Sequence, residues 1–167
     1  MTDGAVLVTG ASGYIGSHVV ANLLSRGRSV RATVRDASDP ERVDHLNELE
    51  TSEGGSLEIV EMDLMDYDSV LRAVGGCAEV IHTAAAVRLT AKRPQEQIVD
   101  PSVVGTENVL RAIDEAGGVE CLVHTSSTAA IRPLKWDDGQ TLSTKDWADD
   151  ANLKENPYGL AKFSAEM

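Results

Sequence analysis

The chain is poor in aromatic residues: they make up 4% of it, with a single phenylalanine. Cysteine is scarce as well. Cys77 and Cys121 form no Cys-x-x-Cys pair, and no histidine lies at metal-ligand spacing from either. A disulfide-stapled scaffold and a cysteine-built zinc site are thereby excluded. Two reduced cysteines near the core of a cytoplasmic protein are the simple expectation. Long apolar runs are missing too. Ala84-Ala85-Ala86-Val87 is among the longest, far below the length of a membrane span. The opening Met1-Thr2-Asp3-Gly4 has no basic segment, which argues against a secretory signal. Positive charge is in short supply, with 15 Lys and Arg against 27 Asp and Glu and a net charge of −12. That excludes a general affinity for nucleic acid or anionic membrane. It leaves room for a phosphate site made by local cations and backbone N–H groups.

What is present is an alternation of short apolar runs with helical patterns. Strands are expected at Ala5–Val8, Ser29–Val34, Leu57–Glu61, Glu79–His82 and Glu120–His124. Helices are expected from Tyr14 to about Arg26, Pro40 to about Glu50, Tyr67 to Val74 and Gln95 to Ala116, the last interrupted or started at Pro101. Residues 128–155 break the pattern and read as an irregular insert, and Asn156-Pro157 opens a final helix. With 167 residues this is enough for one domain, 1–167. The expected class is α/β, a Rossmann-type doubly wound parallel sheet that stops shortly after the final helix begins. Ligands of such sheets sit beyond the carboxyl ends of the strands, where strand order reverses.

Two motifs carry chemistry. In Val8-Thr9-Gly10-Ala11-Ser12-Gly13-Tyr14-Ile15-Gly16, three glycines lie between the first strand and the first helix. Gly10 permits a tight turn, Gly13 lets the backbone approach a pyrophosphate, and Gly16 lets the helix lie close to the sheet. Free N–H groups at the helix start then favour an anion. The bland alternative is a plain glycine-rich strand-to-helix turn. The second motif is Tyr158-Gly159-Leu160-Ala161-Lys162, which puts a phenol and an ammonium four residues apart on one helix face. Its bland alternative is a surface pair.

The Gly-x-x-Gly-x-x-Gly spacing, followed in order by a Ser-Ser strand end and Tyr-x-x-x-Lys, resembles the extended short-chain dehydrogenase/reductase superfamily. That superfamily includes the nucleotide-sugar epimerases and the dihydroflavonol and cinnamoyl-CoA reductases. The resemblance runs from residue 5 to the last residue, and the branch it points to is the dihydroflavonol and cinnamoyl-CoA reductases. It implies an NADP(H)-dependent reductase converting a ketone or aldehyde to an alcohol. The dinucleotide would be held by Gly10, Ser12, Gly13, Tyr14, Ile15 and Gly16. In epimerase-like relatives an acid that binds the ribose falls at Val34 of this chain, and the next residue is Arg35. A guanidinium there suits a 2′-phosphate; the stretch resembles that of the dihydroflavonol reductases, whose arginine at this place faces NADP and whose second basic residue, seven positions on, matches Arg42. In the NAD(H) alternative Asp36 reads the ribose. The resemblance also implies adenine contacts at Asp63 and Leu64, and cofactor contacts at Thr83, Ala84, Ala85 and Thr125.

Catalytic roles follow from the same resemblance. Tyr158 gives or takes the proton of the carbonyl/alcohol pair, Lys162 lowers its pKa and holds the nicotinamide ribose, and Ser127 (or failing it Ser126) binds the substrate oxygen. The asparagine that many relatives carry three residues before Gly105-Thr106 is Ser102 here. His18, His45, His82 and His124 are expected to be structural, as are Met62 and Met65 as core filler. Trp136 and Trp147 lie in the insert, as a cover or a structural plug. Family members are considerably longer, so a carboxyl-terminal substrate domain is expected to be absent from this chain. The fifth strand is then an open edge, and self-association is expected. Two other functions remain open: an NAD-dependent nucleotide-sugar epimerase or dehydratase, and a non-catalytic NADP-sensing module.

Overall fold

A computed structural model of the chain describes residues 4–88, 90–137 and 139–167. The opening Met1-Thr2-Asp3 of the expected leaderless start lies outside the described residues, as does Asp138 of the insert. The chain divides into two compact units, one made of residues 1–84 and 108–125, the other of residues 85–107 and 126–167.

The first unit is a five-stranded parallel sheet: β1 (Ala5–Thr9), β2 (Ser29–Val34), β3 (Ser56–Glu61), β4 (Cys77–His82) and β5 (Cys121–His124), in the order β3-β2-β1-β4-β5. The chain starts in the middle, runs out to β3, then crosses back to β4, so strand order reverses between β1 and β4. Side chains alternate across a strand, and a parallel sheet needs both faces covered. On one face Val6 and Val8 of β1 meet Val30, Ala32 and Val34 of β2. Val20 and Leu24 of helix α1 (Tyr14–Ser25) and Leu46 of α2 (Pro40–Asn47) cover them. On the other face Leu7 and Val80 meet Val70, Ala73 and Val74 of α3 (Tyr67–Val74), with Val109 and Ala112 from the later part of α4 (Asp100–Ala116). The buried residues of both faces are mainly aliphatic. Arg31 closes its far end: Nη1 donates to the carbonyls of Ala73 (2.9 Å) and Gly75 (2.7 Å) at the end of α3.

Several local expectations are corrected. Helix α2 ends at Asn47, three residues before Glu50, because the Leu49 N–H closes on the Leu46 carbonyl in a tighter three-residue turn. Met65 is 49% exposed, while Met62 is buried. Cys77 is buried, but Cys121 is exposed on the edge strand β5, where Val123 also faces outward.

In the second unit the long helix begins as a π-helical turn, Gln95–Val99, before α4. Pro101 explains the change: it has no N–H to give the Gln97 carbonyl, and its ring crowds that turn. The stretch expected to be irregular holds one short helix, α5 (Thr128–Ile131), capped by the Ser127 side chain. Helix α6 (Pro157–Glu166) packs on α5 and on the π turn, through Ala161 against Ile98 and Val99, with Tyr158 and Leu160 alongside. Trp147 stacks edge-on to Phe163, ring centroids 6.1 Å apart, so it anchors the insert to α6. Trp136 carries the Arg132 guanidinium over its ring at 4.6 Å.

Leu7 lies at the centre of the sheet with no exposed surface. Leu7→Ala is expected to cost about 2–5 kcal/mol of stability. Urea denaturation measures it, and a loss below about 1 kcal/mol would contradict a fully covered β1.

Candidate dinucleotide site and Tyr-Lys helix

At the carboxyl end of β1 the chain turns at Gly10, whose φ is +67°, a conformation that side chains rarely adopt. A Cβ on Gly10 would lie 2.9 Å from the Ala84 Cα, and one on Gly16 would collide with the Gly10 carbonyl and lie 2.9 Å from the Ala11 Cα. The first and third glycines therefore bring three backbones together: the turn, the start of α1 and the segment after β4. Gly13 is the N-cap of α1 without any side-chain cap, and its own N–H closes the turn on Gly10 O at 3.0 Å. The N–H groups of Tyr14, Ile15 and Gly16 thus begin a helix whose positive end is left for an anion. Ser12 is half-buried in the same turn. The Tyr14 side chain is 83% exposed and lies edge-on to the His18 ring at 4.9 Å, and Ile15 is exposed beside it.

After β2 the charged residues sort themselves by hydrogen bonding. Asp36 Oδ1 accepts from Ser38 Oγ (2.7 Å) and Ser38 N–H (2.9 Å), and these bonds hold its carboxyl below the ordinary carboxylate range. Asp39 caps α2 by accepting the Glu41 N–H at 3.1 Å, and it pairs with Arg42 Nε at 3.0 Å. Arg35 is exposed and makes no side-chain hydrogen bond or ion pair among the described residues. Asp63, exposed after β3, accepts the Met65 N–H at 2.9 Å, with Leu64 half-buried next to it. Thr83 and Ala84 follow β4, and Thr125 follows β5 with its N–H on His82 O at 3.0 Å.

Ala85, Ser127, Tyr158 and Lys162 belong to the second unit. Asn156 caps α6, its Oδ1 accepting the Gly159 N–H at 2.8 Å. A Cβ at 159 would strike the Asn156 side chain, which would have to swing aside and loosen the cap. The cap sets the helix phase, so Tyr158 and Lys162 lie one turn apart. Tyr158 is half-buried and Lys162 is only 5% exposed. Burial pulls the Lys162 pKa below its ordinary 10.5, and the nearby Glu166 carboxylate opposes the change. Ser127 Oγ accepts the Ala129 N–H at 3.1 Å, which fixes the oxygen and leaves its own proton to donate. Ser126 Oγ instead donates to Glu166 Oε2 at 2.8 Å. Ser102 is buried and donates back to Ile98 O at 2.9 Å in its own helix.

Residues 6–167 match the model of the NAD dependent epimerase/dehydratase family. The chain belongs to that family. It is similar to cinnamoyl-CoA reductase 1 of Petunia hybrida, 40% identical over 97% of this chain and 47% of the relative. It is similar to dihydroflavonol 4-reductase of Hordeum vulgare, 35% identical over 98% of this chain and 47% of the relative. In three dimensions it resembles Gre2 of Candida albicans, solved in complex with NADPH, with 32% identity and a TM-score of 0.80 over 97% of this chain and 50% of that one. The chain spans about half the length of these relatives. No helix among the described residues is long and apolar enough to cross a membrane, and they hold no metal-binding cluster.

Sequence reasoning missed the polar pair behind the turn. Thr9 Oγ1 and His82 Nδ1 are 2.7 Å apart and buried, although the residues are 73 positions apart in the chain. The family-like order of motifs gave no signal for it.

Two outcomes test this geometry. Gly10→Ala should lower stability by about 1–3 kcal/mol through the left-handed φ and the Ala84 contact, read by thermal denaturation. A neutral result would mean that the turn has relaxed. The Lys162 side chain should titrate below 10.5 by NMR, and Glu166→Gln should move the midpoint further down, because the carboxylate that supports the charge is gone. An upward move would contradict that electrostatic picture.

Proposed function

We propose that this chain is the dinucleotide-binding part of an NADP(H)-dependent carbonyl reductase of the dihydroflavonol and cinnamoyl-CoA reductase kind. The observation that carries the cofactor choice is the contrast after β2. Arg35 is exposed and unengaged among the described residues, while Asp36 is already held by Ser38. A guanidinium in that state can take a 2′-phosphate bidentately, and a carboxylate with one oxygen already occupied by its own turn is a weaker ribose acceptor. The NADPH bound by the similar Gre2 supports the same reading.

The residues fit the cofactor part by part. Gly10 and Gly16 let the turn, the start of α1 and the Ala84 segment pack together as a cradle, and the exposed Gly13 carries no side chain to block a pyrophosphate. The α1 N–H groups and Ser12, with Gly13, would hold it; Tyr14 and Ile15 would contribute through their backbones. Arg35 and Arg42 would hold the 2′-phosphate, and Asp63 and Leu64 the adenine. Thr83, Ala84, Ala85 and Thr125 would line the nicotinamide half.

When bound, the nicotinamide supplies a hydride to the carbonyl carbon of a small-molecule substrate. The protein manages the proton. Tyr158 Oη donates it to the carbonyl oxygen in reduction and recovers it in oxidation. The Lys162 ammonium favours the phenolate that results and would bond the nicotinamide ribose. Ser127, its oxygen fixed by the Ala129 N–H, donates a hydrogen bond to the same substrate oxygen. Lys162 fits this task because burial keeps water from screening its charge.

Calorimetric titration of the chain with NADPH and with NADH tests the cofactor. NADPH should bind more tightly, and Arg35→Ala should remove that preference by weakening NADPH on the order of ten- to a hundredfold. Tighter NADH binding would move the family's NAD-dependent epimerase chemistry to the front. In any preparation that reduces a carbonyl, Tyr158→Phe should lower kcat by about 10²–10⁴-fold with NADPH affinity little changed. Undiminished turnover would remove Tyr158 from the proton step.

A further inference from the structure

We propose that Thr9 and His82 are positioning residues for the dinucleotide cradle, with the His82 imidazole held neutral and protonated on Nε2. The inference rests on the reading of the Gly10–Gly16 turn as a dinucleotide site. It begins from a count of hydrogen bonds at one oxygen. Thr9 Oγ1 receives the N–H groups of Thr83 and Ala84, both at 3.1 Å. A hydroxyl has two lone pairs and one proton, so both acceptor positions are then taken. His82 Nδ1, 2.7 Å away, can therefore only accept the hydroxyl proton, which puts the imidazole hydrogen on Nε2.

The arrangement is sealed from water. Thr9 has no exposed surface and His82 is 2% exposed. Its consequence reaches the cradle directly. The two N–H groups that Thr9 holds belong to the segment whose Ala84 touches Gly10, and Thr83 Oγ1 returns a bond to Thr9 O at 2.5 Å. The His82 carbonyl in turn accepts the Thr125 N–H at 3.0 Å, so the ends of β1, β4 and β5 are tied through one dipeptide step. The His124 ring of β5 lies over His82, centroids 5.2 Å apart, and restricts its rotation. Neither Thr9 nor His82 would touch the cofactor in this scheme. They hold the Ala84 backbone at the distance from Gly10 that the cradle requires.

Two measurements on the chain decide the matter. The first is the nitrogen NMR spectrum of His82 near neutral pH, where an Nε2–H neutral ring is expected. An Nδ1–H ring or an imidazolium overturns the assignment without any variant. The second is NADPH affinity in paired variants checked for folding by circular dichroism. Thr9→Val and His82→Leu remove the proton donor and its acceptor, and each should weaken NADPH on the order of tenfold. Thr9→Ser keeps the hydroxyl, and His82→Asn can present an oxygen near the Nδ1 position, so both should stay within about threefold of the parent. If all four variants bind NADPH like the parent, the positioning role is wrong and the cofactor reading stands. If the parent binds neither NADPH nor NADH, the cofactor reading fails and the positioning role falls with it. If Val and Leu prevent folding, a loss of affinity in the Ser and Asn variants as large as tenfold also overturns the proposal.

Discussion

At the carboxyl end of β1 the Thr9 hydroxyl carries three hydrogen bonds at once, to His82 and to the Thr83 and Ala84 N–H groups. This lies where strand order reverses, between β1 and β4. At such a point two adjacent strands send their following loops in opposite directions, and a crevice opens between them. Left to itself a crevice collapses or splays. Here the Thr9 bonds set its separation from below, and the close approach of Gly10 to Ala84 sets it from above. Gly10, with its positive φ, and the uncapped start of α1 lie beside that junction.

The charge distribution is consistent with a site built from backbone. A chain of net charge −12 does not draw anions by its overall field. It has to offer donors at one place. In the proposed site the uncapped start of α1 would do so with N–H groups, and Arg35 would add a cation beyond the end of β2. The neighbouring carboxylates are not paired with it: Asp36 bonds to Ser38, and Asp39 to the α2 cap and Arg42.

In the second unit the same logic of local commitment governs the Tyr158–Lys162 face. The Asn156 cap and the glycine at 159 depend on each other, because the capping amide occupies the space of a Cβ. Ser127 serves two ends: its oxygen caps α5, and that duty fixes the hydroxyl. Ser126, one residue earlier, is drawn to Glu166. The difference between the two serines is a matter of which acceptors and donors surround them, and chain order alone does not separate them.

What the amino-acid sequence determined by itself is local. Every strand, the bounds of α3, the glycine turn and the Asn156-Pro157 helix start were legible, because each depends on periodicity or capping within a few residues. So was the family, since its motifs occur in order along the chain. The bounds of α2, the π turn before Pro101 and the short α5 were less so, because competing hydrogen bonds decide where a helix ends. Tertiary structure alone decided which Met and which Cys is covered, that Arg31 closes the end of α3, and that Thr9 meets His82. Those contacts join residues tens of positions apart, and they exist only once β1 and β4 lie side by side in register, a condition that no local pattern encodes.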